Sequence, residues 1–146
     1  MSETIAIRNM IGSDLEDIQR ITRAISEEDS DANLQTSINQ ITKNVGDKIS
    51  LVAESGGAVV GYMISNIIYA GFGLKRSAWI VTVGVDPDYM GQGIGKKMAQ
   101  ELFEIYKKMG ITHIYSSVMW DSIDLLSFFK TLGFERSSFI NLRKEI

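Results

Sequence analysis

The sequence predicts an α/β domain built on a mixed sheet, and three observations carry the prediction. Helical and strand-like patterns alternate along the 146 residues. Three β-rich runs follow one another in the middle of the chain. The third passes into an amphipathic helix through a cluster of glycines, the turn chemistry of a strand-to-helix corner. A chain of this length fits a single domain, residues 1–146, with a core that needs neither disulfide nor metal. No linker-like stretch interrupts it, and Pro87 is its one proline.

The first helical pattern covers residues 14–25. Leu15, Ile18, Ile21 and Ile25 recur at spacings of three and four behind Ser13, an N-cap with Glu16 three residues on. A second pattern holds Leu34, Ile38, Ile41 and Val45 and stops at Gly46. Residues 49–55 and 58–69 read as strands joined by Gly56-Gly57, a hairpin by its turn chemistry. Residues 79–85 (WIVTVGV) are a third, β-branched run. Ile94, Met98, Leu102, Ile105 and Met109 then line one face of the clearest helix, which Gly110 ends. Residues 111–119 are strand-like, 123–131 helix-like and 134–142 strand-like. With the short 5–8 segment counted, the order is β-α-α-β-β-β-α-β-α-β, an alternation that indicates α/β layers around a mixed sheet.

Composition removes whole classes of function. The chain has no cysteine. Disulfides, thiolate zinc sites, iron–sulfur clusters and a cysteine nucleophile are therefore excluded. A lone histidine, His113, excludes a multi-histidine site, and no metal is expected. Fifteen Lys and Arg against 18 Asp and Glu leave a net charge of −3, which argues against general binding to nucleic acid or anionic membranes. Residues 1–10 lack the cationic start and apolar run of a signal peptide. No apolar stretch approaches the ~20 residues of a membrane span. A soluble, cytoplasmic protein is the expectation.

The informative stretch is Val83-Gly84-Val85-Asp86-Pro87-Asp88-Tyr89-Met90-Gly91-Gln92-Gly93-Ile94-Gly95-Lys96. A helix opening there carries unpaired N–H groups and about half a positive charge. Glycines let a phosphate approach the backbone without meeting a Cβ, and Lys96 adds a cation. A tight turn alone is the plainer reading, but three alternate glycines opening a helix exceed what a turn demands. The spacing fits neither a Walker A loop, since Gly95-Lys96 is followed by Lys97, nor a dinucleotide fingerprint, whose third glycine would fall at Lys96. Gly84, inside the strand, reads two ways. It marks a bulge that splays the strand and frees its amides for a ligand, or it makes room for a packed neighbour.

These residues resemble the GNAT superfamily of acetyl-CoA-dependent N-acetyltransferases. The resemblance rests on a Val-x-Val strand, an Asp-Pro-Asp-Tyr turn and the x-Gly-Gln-Gly-Ile-Gly helix start. A second motif, residues 122–134 (SIDLLSFFKTLGF), ends in Leu-Gly-Phe. The resemblance implies a central, twisted, mixed and mostly antiparallel sheet of six to seven strands flanked by about four helices. It implies acetyl-CoA as co-substrate, held by backbone groups of Val83 and Val85 along the pantetheine arm and acetyl carbonyl. Met90, Gly91, Gln92, Gly93, Ile94, Gly95 and Lys96 would surround the pyrophosphate. Ser122 stands where the family's cofactor-contacting Asn usually is, and Phe129 would flank the thioester.

Some positions depart from the family pattern. Met90 replaces a usual Arg or Gln. Phe129 stands where many relatives have a Tyr that protonates the departing thiolate, and Trp79 and Ser117 stand where some carry a general-base Glu. Among the groups left for proton handling, Tyr89 is the first choice, with Val83 N–H as an oxyanion donor. Asp121 reads as a helix N-cap, and His113, at the far start of its strand, as a surface histidine. Glu27, Glu28 and Asp29 are either a solvated loop or an acidic border that attracts a cationic amine. Trp120, beside Met119, is an acceptor-pocket wall or a core or dimer contact.

The expected function is direct transfer of an acetyl group from acetyl-CoA to a primary amine on a small molecule or peptide. The main alternative is a catalytically weak or inactive acyl-CoA-binding or sensing module on the same fold. A purely structural α/β interaction domain is the third reading. A homodimer is expected from the resemblance and from the prevalence of C₂ pairs.

Overall fold

A five-stranded sheet in the order β1-β2-β3-β4-β5 organises the chain. The computed structural model describes residues 4–25, 48–69 and 75–146. Its elements are β1 (Ala6–Asn9), α1 (Leu15–Ile25), β2 (Lys48–Ser55), β3 (Ala58–Ile68), β4 (Ser77–Val85), α2 (Ile94–Lys108), β5 (Ile114–Ser116) and α3 (Ile123–Thr131). β1 to β4 pair antiparallel and β5 joins β4 in parallel, so the sheet is mixed and mostly antiparallel as expected. The described residues hold five strands and three α-helices rather than six to seven and about four. The helix expected around Leu34–Val45 lies outside them. The chain divides into two compact units, Met1–Ser116 and Ser117–Ile146.

In the first unit the pleat sends alternate side chains of β3 to opposite faces. Tyr62 and Ile64 meet Ile18 and Ile21 of α1, together with Val52 and Val59. Full burial of each such isoleucine stabilises the fold by roughly 1.5–3 kcal/mol. On the other face Gly61 lies under α2. A Cβ there would come within 3.1 Å of Ile94 Cγ2 and Met98 Cε. Tyr106 of α2 shares a buried hydrogen bond with Ser65. The buried stripe of α2 is Ile94, Met98, Ala99, Leu102 and Tyr106, the face read from the sequence shifted slightly toward Ala99 and Tyr106.

Several local expectations change. α1 is introduced by a 3₁₀ turn at Gly12–Asp14, in which Ile11 rather than Ser13 takes the N-cap position and donates its N–H to the Asp14 carboxylate at 2.8 Å. Arg8 of β1 donates two bonds to Asp14, at 2.8 and 2.9 Å, and one to Glu54 at 3.0 Å. Burial pushes the Asp14 carboxyl up, but the Arg8 and Ile11 bonds outweigh it and hold Asp14 below the usual carboxylate range. The Gly56-Gly57 hairpin stands, with both φ positive at 58° and 83°. In the second unit Ser122, not Asp121, occupies the N-cap position of α3. Residues 134–146 form no strand. An extended segment becomes a strand only with a neighbour to complete its ladder. No helix among the described residues is long and apolar enough to cross a membrane.

Candidate active site

Among the described residues, β4 has strand neighbours on both sides only at its start. Ala78, Trp79 and Ile80 pair with Ile114, Tyr115 and Ser116 of β5, and the ladder stops there. Among the described residues, Val81 to Val85 pair with β3 alone. The register of the β3–β4 pair shifts between Ile64 and Ser65. This leaves Val81 as the extra residue, 54% exposed. The bulge, one of the two readings of Gly84, therefore lies three residues earlier. Gly84 serves packing instead, because a Cβ on it would lie 2.6 Å from the Tyr62 ring.

Hydrogen-bond alternation decides which groups the free edge exposes. Asp86 N–H donates to the Val60 carbonyl at 2.8 Å. In an antiparallel pair, bonded and non-bonded positions alternate, so Gly84 and Thr82 point their backbone groups at β3. Val83 and Val85 then point theirs to the opposite edge, where β5 has ended. These are the two residues assigned to a ligand from the sequence.

The chain next makes a 3₁₀ turn at Pro87–Tyr89, organised by Asp86. One Asp86 carboxylate oxygen accepts the Asp88 N–H at 3.0 Å and the other accepts Arg20 Nη1 at 2.7 Å. The Arg20 guanidinium, with the Asp88 N–H, holds the Asp86 carboxyl below the usual carboxylate range against its burial. Gly91 and Gly93 follow with φ of +83° and +75°, a region that favours glycine. A Cβ on either would meet no described residue within 4 Å, so among the described residues the side of the corner they face is open.

The N–H groups of Gly91, Gln92, Gly93, Ile94, Gly95 and Lys96 have no acceptor among the described residues. The first helical bond is Lys97 N–H to Gly93 O at 3.0 Å. An ordinary helix start leaves four such donors. Here six run consecutively, with the positive end of the α2 dipole behind them and the exposed Lys96 beside them. The row suits a diphosphate in charge and in donor count.

The other candidates belong to both units. Tyr89 is half-buried in the turn before the amide row, and Met90 is 58% exposed. Glu27, Glu28 and Asp29 lie outside the described residues. In the second unit Ser122 makes no side-chain cap bond, and Phe129 is buried edge-on to Phe128 and Phe134 with centroids 5.4 and 4.9 Å away. Trp120 is 83% exposed, with the Arg136 guanidinium 5.9 Å from its ring centroid. Ser117 accepts a bond from Asn141 Nδ2 at 2.9 Å. His113 is exposed, bonded to Thr112 and stacked on Tyr115. No group of three or more potential metal ligands occurs among the described residues.

Sequence reasoning missed Arg20, whose partner is 66 residues away. It also missed the opposed pair Asn66 and Trp79 on β3 and β4. Their buried Oδ1 and Nε1 have no hydrogen-bond partner among the described residues.

A mixed sheet in which β4 runs on past the end of β5 into an amide-lined corner defines the protein as an α/β domain. Residues 14–134 match the acetyltransferase (GNAT) family, and the chain belongs to that family. It is 34% identical over 84 residues to the N-alpha-acetyltransferase RimI of Mycobacterium tuberculosis, covering 58% of this chain and 50% of that protein. It is 26% identical over 61 residues to the [ribosomal protein bS18]-alanine N-acetyltransferase of Escherichia coli K12, covering 42% and 41%. The matches thus span about half the length of these curated relatives or less. Among solved structures, the aminoglycoside N-acetyltransferase AAC(6')-Iy in complex with CoA superposes with a TM-score of 0.82 at 16% identity. That match covers 99% of this chain and 97% of the other, a likeness of fold.

Proposed function

We propose that the protein is an acyltransferase that moves an acetyl group from acetyl-CoA directly to a primary amine. The observation that carries this reading is the row of six unpaired amides from Gly91 to Lys96, continuous in sequence with the free edge of β4. The amides would take the diphosphate, and Val83 and Val85 would pair with the amides of the pantetheine arm as a neighbouring strand does. Family membership and the amine-acetylating names of the relatives support the reading. Roles for Ser122 and Phe129 rest on the motif resemblance alone.

The chemistry asks for three things. The acceptor amine must shed a proton, which at pH 7 costs an unperturbed alkyl ammonium roughly 4–5 kcal/mol. Its nitrogen then attacks the thioester carbonyl carbon, and the oxyanion needs a donor, a role the Val83 N–H on the free edge can fill. Collapse breaks the C–S bond and releases coenzyme A as a thiolate, a good leaving group. Tyr89 is the proposed proton-handling residue, supported by its place between β4 and the amide row. Since the chain has no cysteine nucleophile, direct transfer is favoured over an acyl-enzyme.

A binding-only module is the second reading, favoured by Phe129, whose ring carries no hydroxyl. Calorimetry with acetyl-CoA followed by turnover on a panel of amines tests both. Binding with turnover supports the transferase, binding without turnover the module, and absence of binding overturns both. The proposed setting is cytoplasmic, and a symmetric dimer fits the exposed Trp120, Ile140 and Leu142.

A further inference from the structure

We infer that Arg20, on α1, is a positioning residue for the diphosphate corner, acting through Asp86; the inference rests on the proposed coenzyme reading. Asp86 is the last residue before the turn and engages every polar group it has. Its N–H donates to Val60 at 2.8 Å and its carbonyl accepts from Tyr89 at 2.8 Å. One carboxylate oxygen accepts the Asp88 N–H and the other accepts Arg20. The turn from Asp86 to Met90 is therefore shaped by a single carboxylate, and it delivers the chain into the glycine row at Gly91.

Arg20 is what fixes that carboxylate from outside the turn. Its Nη1 bonds Asp86 at 2.7 Å while its Nη2 bonds the Val59 carbonyl at 2.9 Å. Asp17, one helical turn back, lies 3.6 Å from Nη2 and keeps the guanidinium aligned. The planar fork thus ties α1, the start of β3 and the turn together, which the point charge of a lysine cannot reproduce. The ion pair also has an electrostatic role. Asp86 is a carboxylate five residues ahead of amides proposed to receive a dianion, and Arg20 cancels its charge. Loss of Arg20 leaves a buried negative charge with one partner fewer, in a turn free to relax.

The test separates coenzyme positioning from general stability by using two donors. Acetyl-CoA carries the diphosphate and acetylpantetheine does not. In Arg20→Ala and Arg20→Gln, KM and Kd for acetyl-CoA are expected to rise between about tenfold and a hundredfold. Kinetic parameters for acetylpantetheine should stay within about twofold of the wild type. Arg20→Lys should recover only part of the loss. Without any coenzyme, hydrogen exchange at the Asp88 and Tyr89 amides should quicken in the variants, a readout available even where Arg20→Ala folds poorly and only Arg20→Gln can be used. Unchanged acetyl-CoA affinity in a wild-type background that binds it overturns the role of Arg20 alone, as does an equal loss with both donors. A wild-type protein that binds no acetyl-CoA overturns the coenzyme reading, and this inference with it.

Discussion

The ring of Tyr62 on β3 lies directly against Gly84 on β4, so close that a single methyl group on Gly84 would sit 2.6 Å from its carbons. The two are register partners, and the Tyr62 hydroxyl shares a buried hydrogen bond with Thr22 of α1 at 3.0 Å. Desolvation raises the Tyr62 phenol above its usual range, against bonds from Thr22 and Thr82. The contact sets how closely α1, β3 and β4 approach next to the edge residues Val83 and Val85.

Gly84→Ala is expected to destabilise the protein by about 1–3 kcal/mol, the cost of overpacking a filled site. Urea denaturation checks it, and the Tyr62→Leu background, with a smaller side chain, should absorb most of the loss. An equal penalty in both backgrounds would mean that something other than the ring excludes the methyl.

Gly93→Trp should leave the chain folded and abolish acetyl-CoA binding. The positive φ costs about 1–2 kcal/mol for any L side chain, a loss the fold can bear. The indole would project into the open side of the corner, where it would compete with a diphosphate. Circular dichroism and calorimetry read the two halves separately. Wild-type affinity in a folded variant would remove the corner from the site.

Tyr89→Phe should lower kcat by about a hundredfold, within the range of general acid–base contributions, while acetyl-CoA Kd stays unchanged. Steady-state kinetics with titration of the coenzyme makes the distinction. A kcat equal to the wild type would show that another group handles the proton.

Acid should weaken the fold at two ion pairs. Asp14 and Asp86 both have folded-state carboxyls below the usual range. Between the folded and unfolded values the unfolded chain binds more protons, so stability rises with pH there. Their contribution is present above the unfolded pKa of about 3.9 and is lost as pH falls through the depressed folded values. Denaturation midpoints from pH 7 to 2 should therefore drop below about pH 4, and by less in Asp14→Asn. A profile that is identical in wild type and variant contradicts the assignment.

What could be read from the sequence follows how local each signal is. α3 matches its periodic segment end to end, and the Gly56-Gly57 hairpin and the Ile94 helix follow from spacing and turn chemistry alone. Val83 and Val85 were identified by motif, and the reason they are available came only with β5, which ends at Ser116. Features made by distant partners stayed hidden. Asp14 accepts the Ile11 N–H while Arg8 of β1, itself bonded to Glu54 of β2, holds its carboxylate in place. The bulge falls at Val81 because register belongs to a pair of strands, not to one. The apolar residues 134–142 read as a strand, but alternation reports a preference for extended chain and cannot supply the neighbour.

Backbone amide resonances followed during titration with coenzyme A test the central claim most directly. The account predicts saturable shifts at Gly91 through Lys96 and at Val83 and Val85, with slowed hydrogen exchange at the six amides of the corner. Shifts confined to other residues, or a spectrum left unmoved by the coenzyme, would contradict it.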